Sequence, residues 1–209
     1  MHEPTELLVA TNNAGKVREL SQLLADLPLR LRLLSELGEF TEAEETGTTF
    51  TENATLKALH YSAHGRMLTL SDDSGLSVDA LGGAPGVYSA RYAGPQATYA
   101  ECMRKLLDEL AATNDTERRA RFVCVIAVAD PSTGDLQTFE GTCEGRIAHA
   151  PRGTGGFGYD PVFIPDGYEQ TFGELPDAVK HSVSHRARAL AKAARHLRTR
   201  FITPGLTLE

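Results

Sequence analysis

The stretch Leu70-Ser71-Asp72-Asp73-Ser74-Gly75-Leu76 places two adjacent carboxylates and a hydroxyl at the end of an apolar run. Hard oxygen ligands of this kind suit Mg²⁺, which keeps several waters and bridges to phosphate oxygens. A carboxylate not fully engaged by metal can also take a proton from an attacking water. The same residues would serve a solvated turn, since Asp-Asp-Ser-Gly is a good turn sequence. Glu44 and Glu45 can complete a metal site, although a pair of loop glutamates is usually only solvated. A second stretch, Gly153-Thr154-Gly155-Gly156-Phe157-Gly158-Tyr159-Asp160-Pro161, crowds glycines around two aromatic rings and a third carboxylate. Glycine there lets backbone approach a ligand closely or adopt positive φ. Phe157 can stack on a flat ring, as aromatic side chains do with unpaired bases. Asp160 can accept a hydrogen bond from a ring N–H. A metal site beside a pocket for a flat ring is what a nucleoside polyphosphate would fill.

Thr11-Asn12-Asn13-Ala14-Gly15-Lys16 follows one apolar run and opens another. Backbone N–H groups at a helix start attract phosphate, and Lys16 adds a positive charge. This is not a P-loop, because Val17 follows Gly15-Lys16 where Ser or Thr is needed. An ordinary strand-turn-helix with a surface lysine has the same signature. His181 and His185 stand four apart, but no Glu follows the first, so H-E-x-x-H is absent and zinc is disfavoured. Lys180, His185 and Arg186 read better as donors to an anionic or oxygen-rich ligand. No G-x-S-x-G elbow supports a serine hydrolase.

The elements that must position these residues follow from periodicity. Leu7 to Thr11 reads as a buried strand, and Val17, Leu20, Leu23, Leu24 and Leu27 mark one face of a helix. Leu29 to Leu34 forms a second strand, and the polar Thr41 to Thr49 a loop. Thr51 to His64 reads as a helix stopped by Gly65, and Met67 to Ser71 as a strand that carries Asp72 and Asp73 at its end. Gly82 to Gly86 must be irregular. Thr98 and Glu101 form a capping box before a helix over Tyr99 to Ala112. Arg121 to Ala129 and Leu136 to Ile147, joined by Pro131-Ser132-Thr133-Gly134, make a long hairpin. Ser184 caps a last helix with Leu190, Ala193, Ala194 and Leu197 inward. Alternating helices and strands followed by a hairpin favour an α/β fold with a mixed sheet over a purely parallel one.

Composition narrows the classes. The 209 residues, 41% hydrophobic, suffice for one substantial core or one core with two lobes. A net charge of -7 argues against a nucleic-acid polymer as partner. It leaves room for a small anionic ligand met by a few local cations. Cys102, Cys124 and Cys143 are scattered and odd in number, as expected for a reducing cytoplasm rather than a disulfide framework. The polar start Met1 to Glu6 lacks the pattern of a signal peptide, and no apolar run is long enough to span a bilayer.

These motifs taken in order resemble the inosine/xanthosine triphosphate pyrophosphatases, the Ham1-like house-cleaning nucleotide hydrolases. The likeness runs through Ala10 to Lys16, Glu44-Glu45-Thr46-Gly47, Phe50-Thr51-Glu52-Asn53-Ala54, Ser71 to Leu76, Gly82 to Tyr92, Gly153 to Pro161 and Ser184-His185-Arg186. Each motif is weak alone; the ordered set is specific. The resemblance implies an elongated, two-lobed α/β domain over residues 1–209 with a nucleotide cleft between lobes, usually a homodimer. It implies Mg²⁺-dependent cleavage of ITP, dITP or XTP between the α- and β-phosphates, giving a monophosphate and pyrophosphate. By position it assigns Asp73 as general base, and Glu44 and Asp73 as metal ligands, with Asp72 and Glu45 as helpers. It assigns Thr11, Asn12, Asn13, Ala14, Gly15, Lys16, Lys57 and Ser74 to the phosphates. Phe157, Gly158, Tyr159, Asp160, Lys180, His185 and Arg186 fall to the base. The sequence departs from the family around Lys180, where Ala178-Val179 precede it and His181 follows.

Two other readings remain open on the residues alone. A phosphatase acting through an aspartyl-phosphate would use Asp72 or Asp73 as nucleophile and release orthophosphate. A nucleotide sensor would bind without turnover.

Overall fold

The computed structural model describes residues 5–202. Residues 1–4 of the polar N-terminal stretch, and the last seven positions of the chain, lie outside the described residues. The chain forms β1 (Thr5–Val9), α1 (Ala14–Leu24), β2 (Leu29–Leu33), α2 (Phe50–Gly65) and β3 (Thr69–Val78). Then come α3 (Tyr99–Ala111), β4 (Arg119–Asp130), β5 (Asp135–Ile147), β6 (Phe163–Pro165), α4 (Asp177–Val183) and α5 (His185–Ile202). The six strands form one sheet in the order β2-β1-β3-β4-β5-β6. It is mixed: β1 runs parallel to both β2 and β3, and β5 runs antiparallel to β6. The α/β class with a mixed sheet is therefore as the sequence predicts.

Two compact units are present. Of the described residues, one comprises those up to 73, 125–140 and those from 188 onward, and the other residues 74–124 and 141–187. The chain passes from one to the other within β3, β4, β5 and α5. In the first unit, Ala54 and Ala58 of α2 pack on Val125, Ala127 and Ala129 of β4. Small side chains on both surfaces let the helix lie close to the strand. The Ser71 hydroxyl, donating to the Ala54 carbonyl at 2.6 Å, then fixes the register of α2 against β3. The core of the second unit is built around Leu76, Leu106, Phe122, Tyr159, Phe163 and Phe172, each 6% exposed or less.

Several local expectations hold. Thr98 accepts from the Glu101 N–H and Glu101 from the Thr98 N–H, closing the capping box of α3. The hairpin β4–β5 turns where Pro131 to Gly134 predicts. The Ser184 hydroxyl accepts from the Ala187 N–H, and Leu190, Ala193, Ala194 and Leu197 are buried along α5. Several boundaries differ: β1 spans Thr5–Val9 rather than Leu7 to Thr11, and α1 ends at Leu24, short of Leu27. Helix α2 includes Gly65, and its end falls at Arg66, which adopts the left-handed region at φ 49. More important, β3 does not stop at Ser71 but continues through Asp72 and Asp73 to Val78. Helix α4 and the short β6 carry too little periodicity to be read from sequence.

Candidate active site

Asp72 and Asp73 stand inside a strand with a neighbour on each side, so neither belongs to a solvated turn. They are 1% and 7% exposed. Successive strand residues point to opposite faces, and the two carboxylates meet different lysines. Lys16 Nζ on α1 lies 3.1 Å from Asp72 Oδ2. Lys57 Nζ on α2 lies 3.3 Å from Asp73 Oδ1 and 2.8 Å from Glu45 Oε1. Asp73 Oδ2 is buried and has no hydrogen-bond partner among the described residues.

The electrostatics are those of a site short of positive charge. Burial pushes the Asp73 carboxyl above its ordinary value, and the fields of Lys57 and Lys16 only partly offset it. For Lys57, burial works against the ammonium, yet Asp73, Asp72 and Glu45 together lift it above the usual lysine value. Both groups thus hold protons more tightly than usual, Asp73 chiefly because it is buried and Lys57 because three carboxylates face it. A divalent cation would relieve that imbalance. Among the described residues no group of three or more His, Cys, Asp or Glu side chains converges as a ready-made metal cage. The donor set fits a magnesium ion, which takes one or two carboxylates and fills its other positions with water and substrate phosphate. Asp73 Oδ2 supplies an uncommitted oxygen, and Glu45 a second carboxylate on the same lysine. Glu44, its neighbour in the loop, is exposed.

The loop holding Glu44 and Glu45 is anchored just beyond them. Asn53 is fully buried on α2, and its Oδ1 accepts from the Gly47 N–H at 2.8 Å. A Cβ on Gly47 would fall 2.6 Å from Glu52 Cβ and 2.7 Å from Asn53 Oδ1, so only glycine fits there. Glu52 meanwhile accepts from the Thr48 and Thr49 N–H groups. In the sequence Asn53 is marked only by its place in the Phe50 to Ala54 motif, one helical turn before Lys57; its anchoring role comes from its burial.

At the start of α1, Asn13 Oδ1 accepts from the N–H groups of Gly15 and Lys16 at 2.9 and 3.1 Å. The cap thus occupies two of the backbone donors expected to face phosphate. Thr11 Oγ1 accepts from the Asn13 N–H, and Asn12 Nδ2 donates to Glu42 at 3.3 Å. Ala14 is exposed. What this segment offers a polyanion is chiefly the Lys16 ammonium, already beside Asp72.

The second unit holds a separate polar cluster. Asp160 Oδ2 accepts from the Phe157 N–H and from Lys180 Nζ, each at 2.7 Å. Lys180 Nζ lies 4.7 Å from the centre of the Phe157 ring, and the Arg186 guanidinium carbon 5.6 Å. Arg186, 1% exposed, also donates to Ser74 Oγ at 2.9 Å. The cluster gathers Phe157, Asp160, Lys180 and Arg186, four residues of the expected base-side set, together with Ser74, which the sequence reading gives to the phosphates. Two cations beside one partly exposed aromatic ring make a platform for a flat, oxygen-bearing heterocycle.

Other residues of that set also serve the protein's own packing. Tyr159 is 2% exposed; its hydroxyl donates to the Ser89 carbonyl at 2.9 Å and its ring meets Tyr99 edge-on. The His185 ring stacks on Phe122 at 4.7 Å. The glycines of this loop serve the protein's own packing. A Cβ on Gly156 would lie 2.0 Å from Asp160 Oδ2, and one on Gly153 2.0 Å from the Gly173 carbonyl oxygen. At Gly158, φ is +66, beside the Tyr99 ring.

Fold and site define an α/β protein with a lysine–carboxylate cluster suited to a polyanion. The Ham1 family model matches residues 7–196. A dITP/XTP pyrophosphatase of Desulforamulus reducens is 49% identical over 94% of this chain and 98% of its own length. A second, from Geobacter sulfurreducens, is 49% identical over 92% and 96%. Among solved structures, a HAM1 protein from Coxiella burnetii superposes with a TM-score of 0.86 at 41% identity, covering 92% of this chain and 98% of that one. The Staphylococcus aureus Ham1 protein gives 0.84 at 39% identity, over 94% and 100%. The chain belongs to the Ham1 family.

Proposed function

We propose that this chain is a nucleoside-triphosphate pyrophosphatase that hydrolyses ITP, dITP and XTP to the monophosphate and pyrophosphate, with Mg²⁺ as cofactor. The observation that carries the reading is the buried Asp73, paired with Lys57 and retaining one uncommitted oxygen. The names of its full-length relatives support the same activity.

Phosphoryl transfer is mostly positioning and charge neutralisation. Lys16 and Lys57 supply positive charge to the triphosphate. Asp73 accepts the proton of the attacking water as the new P–O bond forms and the α–β bridging P–O bond breaks. Mg²⁺, held by Asp73 with Glu44 or Glu45, would neutralise phosphate charge and polarise the bond being broken. Thr11 to Gly15 and Ser74 line the phosphate end. At the base end Phe157 stacks on the purine, and Lys180, His185 and Arg186 offer donors to a 6-oxo group, with Gly158, Tyr159 and Asp160 shaping their surroundings. Adenine presents an amine there, and a donor facing a donor leaves buried groups unpaired.

The whole chain acts as one such domain, working as a homodimer in the cytoplasm. Among the described residues no helix is long and apolar enough to cross a membrane. Turnover of ITP with Mg²⁺, abolished by chelation and restored by added Mg²⁺, is the expected result. Full activity after exhaustive chelation contradicts the metal requirement, and binding without turnover favours a sensor.

A further inference from the structure

A charged cavity lies in the unit formed by residues 74–124 and 141–187. It has a volume of about 380 Å³, and its lining includes Arg118, Arg146, Arg152 and His149, with two carboxylates, Glu117 and Glu169, and the apolar Ile147 and Ile164. None of its lining residues belongs to the clusters described above.

Arg118 is the unusual member. It is 7% exposed and holds the left-handed conformation at φ 53, which side-chain-bearing residues rarely adopt. Asp115 Oδ2 accepts from its backbone N–H and Ile147 donates to its carbonyl, so the conformation is fixed from both sides. Its Nε donates to the Ile147 carbonyl at 2.9 Å and its Nη2 to the Ala148 carbonyl at 3.2 Å. Among the described residues no carboxylate pairs with this guanidinium, and Nη1 has no partner. Buried charges are ordinarily paired. Arg146 and Arg152, by contrast, already have Glu169 and Glu174 as partners at 2.8 and 3.4 Å. Those two glutamates are more exposed than Arg118 and hold the neighbouring arginines along the cavity wall.

We infer that this cavity is an anion site in which the Arg118 guanidinium, locked by two backbone carbonyls, presents its free N–H groups to a phosphate group, with Arg146 as second cation. Arginine's planar fork matches phosphate oxygens in a way that lysine's point charge does not. Clamping Nε and one edge of the fork in advance removes the ordering cost that a mobile surface arginine would meet on binding. The chemistry is that of inorganic phosphate or of a phosphate monoester. The apolar Ile147 and Ile164 leave room for an organic stem in the latter case.

The test is a titration of the wild-type protein with inorganic phosphate, following the Nε–H resonances of Arg118 and Arg146 by NMR, with sodium chloride at matched ionic strength as control. Both resonances should shift saturably with one common dissociation constant, and chloride should leave them in place. Methyl phosphate binding more tightly than phosphate would assign the monoester, and equal or weaker binding the free ion. Arg118→Lys keeps the charge but loses the fork, and should weaken phosphate at this site about tenfold or more. Arg146→Gln, a change at a half-buried position that leaves Arg118 in place, should weaken it several-fold. No shift of Arg118 up to high millimolar phosphate, a linear shift, or an equal response to chloride would overturn the inference. So would an unchanged constant in Arg146→Gln.

Discussion

Lys57 Nζ lies 3.3 Å from Asp73 Oδ1 in a buried pair whose two groups both hold protons more tightly than usual. A simple ion pair would pull the carboxyl down. Here burial and the negative charge of Asp72 and Glu45 win, which fits a site waiting for more positive charge.

Asp73→Asn should therefore cost on the order of 10²-fold or more in kcat, because the replacement neither accepts a proton nor binds a cation well. The change is nearly isosteric, so circular dichroism should stay native-like. A variant with most of the wild-type turnover would remove Asp73 from the chemistry.

The raised pKa has a definite consequence for stability. In the metal-free protein the folded state binds the Asp73 proton more tightly than the unfolded chain does. Between the ordinary carboxylate value and the higher folded one, stability should fall as pH rises. Asp73→Asn should lack that component, so the stability of wild type relative to the variant declines through this window. Chemical denaturation of both proteins across mildly acidic pH checks the slope; the opposite sign would mean that the lysines dominate. Added Mg²⁺ should release protons in the same window.

Glu44 and Glu45 can be separated. The family resemblance gives Glu44 the metal, whereas Glu45 is the one on Lys57. Glu44→Gln should raise the Mg²⁺ concentration for half-maximal rate more than Glu45→Gln does. The reverse order would assign the ligand to Glu45.

Asn53→Ala removes the acceptor that pins Gly47. It should destabilise the fold by about 1–3 kcal/mol, the usual cost of losing a buried hydrogen bond. It should also raise the Mg²⁺ requirement several-fold while leaving most of kcat at saturating metal. A fall in kcat with unchanged Mg²⁺ dependence would show that the anchored loop does not serve the metal.

Arg186→Ala should reduce kcat/KM for ITP far more than for ATP, since a donor aimed at the 6-oxo group distinguishes the two bases. Equal losses would mean that Arg186, bonded to Ser74, only holds structure.

Much of this was legible in sequence because it is local. The capping box of Thr98 and Glu101, the turn at Pro131 to Gly134 and the inward face of α5 depend on neighbours in the chain. The candidate residues of both clusters stood out in the sequence by type alone. What sequence concealed was tertiary. Two aspartates after an apolar run read as the end of a strand, yet β3 continues, because Lys16 and Lys57 from two helices neutralise them in place. The glycines near Phe157 read as room for a ligand, whereas Gly156 and Gly153 make room for Asp160 and the Gly173 carbonyl. Tyr159 reads as a site aromatic and proves to be core, a distinction that only the Ser89 carbonyl and the Tyr99 ring reveal.

The most direct measurement is the identity of the first products formed from ITP with Mg²⁺, resolved by ³¹P NMR or anion-exchange chromatography. Attack at the α–β bridge predicts IMP and pyrophosphate in equal amounts, with no covalent phosphoprotein trapped on Asp72 or Asp73. IDP and orthophosphate as initial products, or a trappable aspartyl-phosphate, would contradict the proposed function.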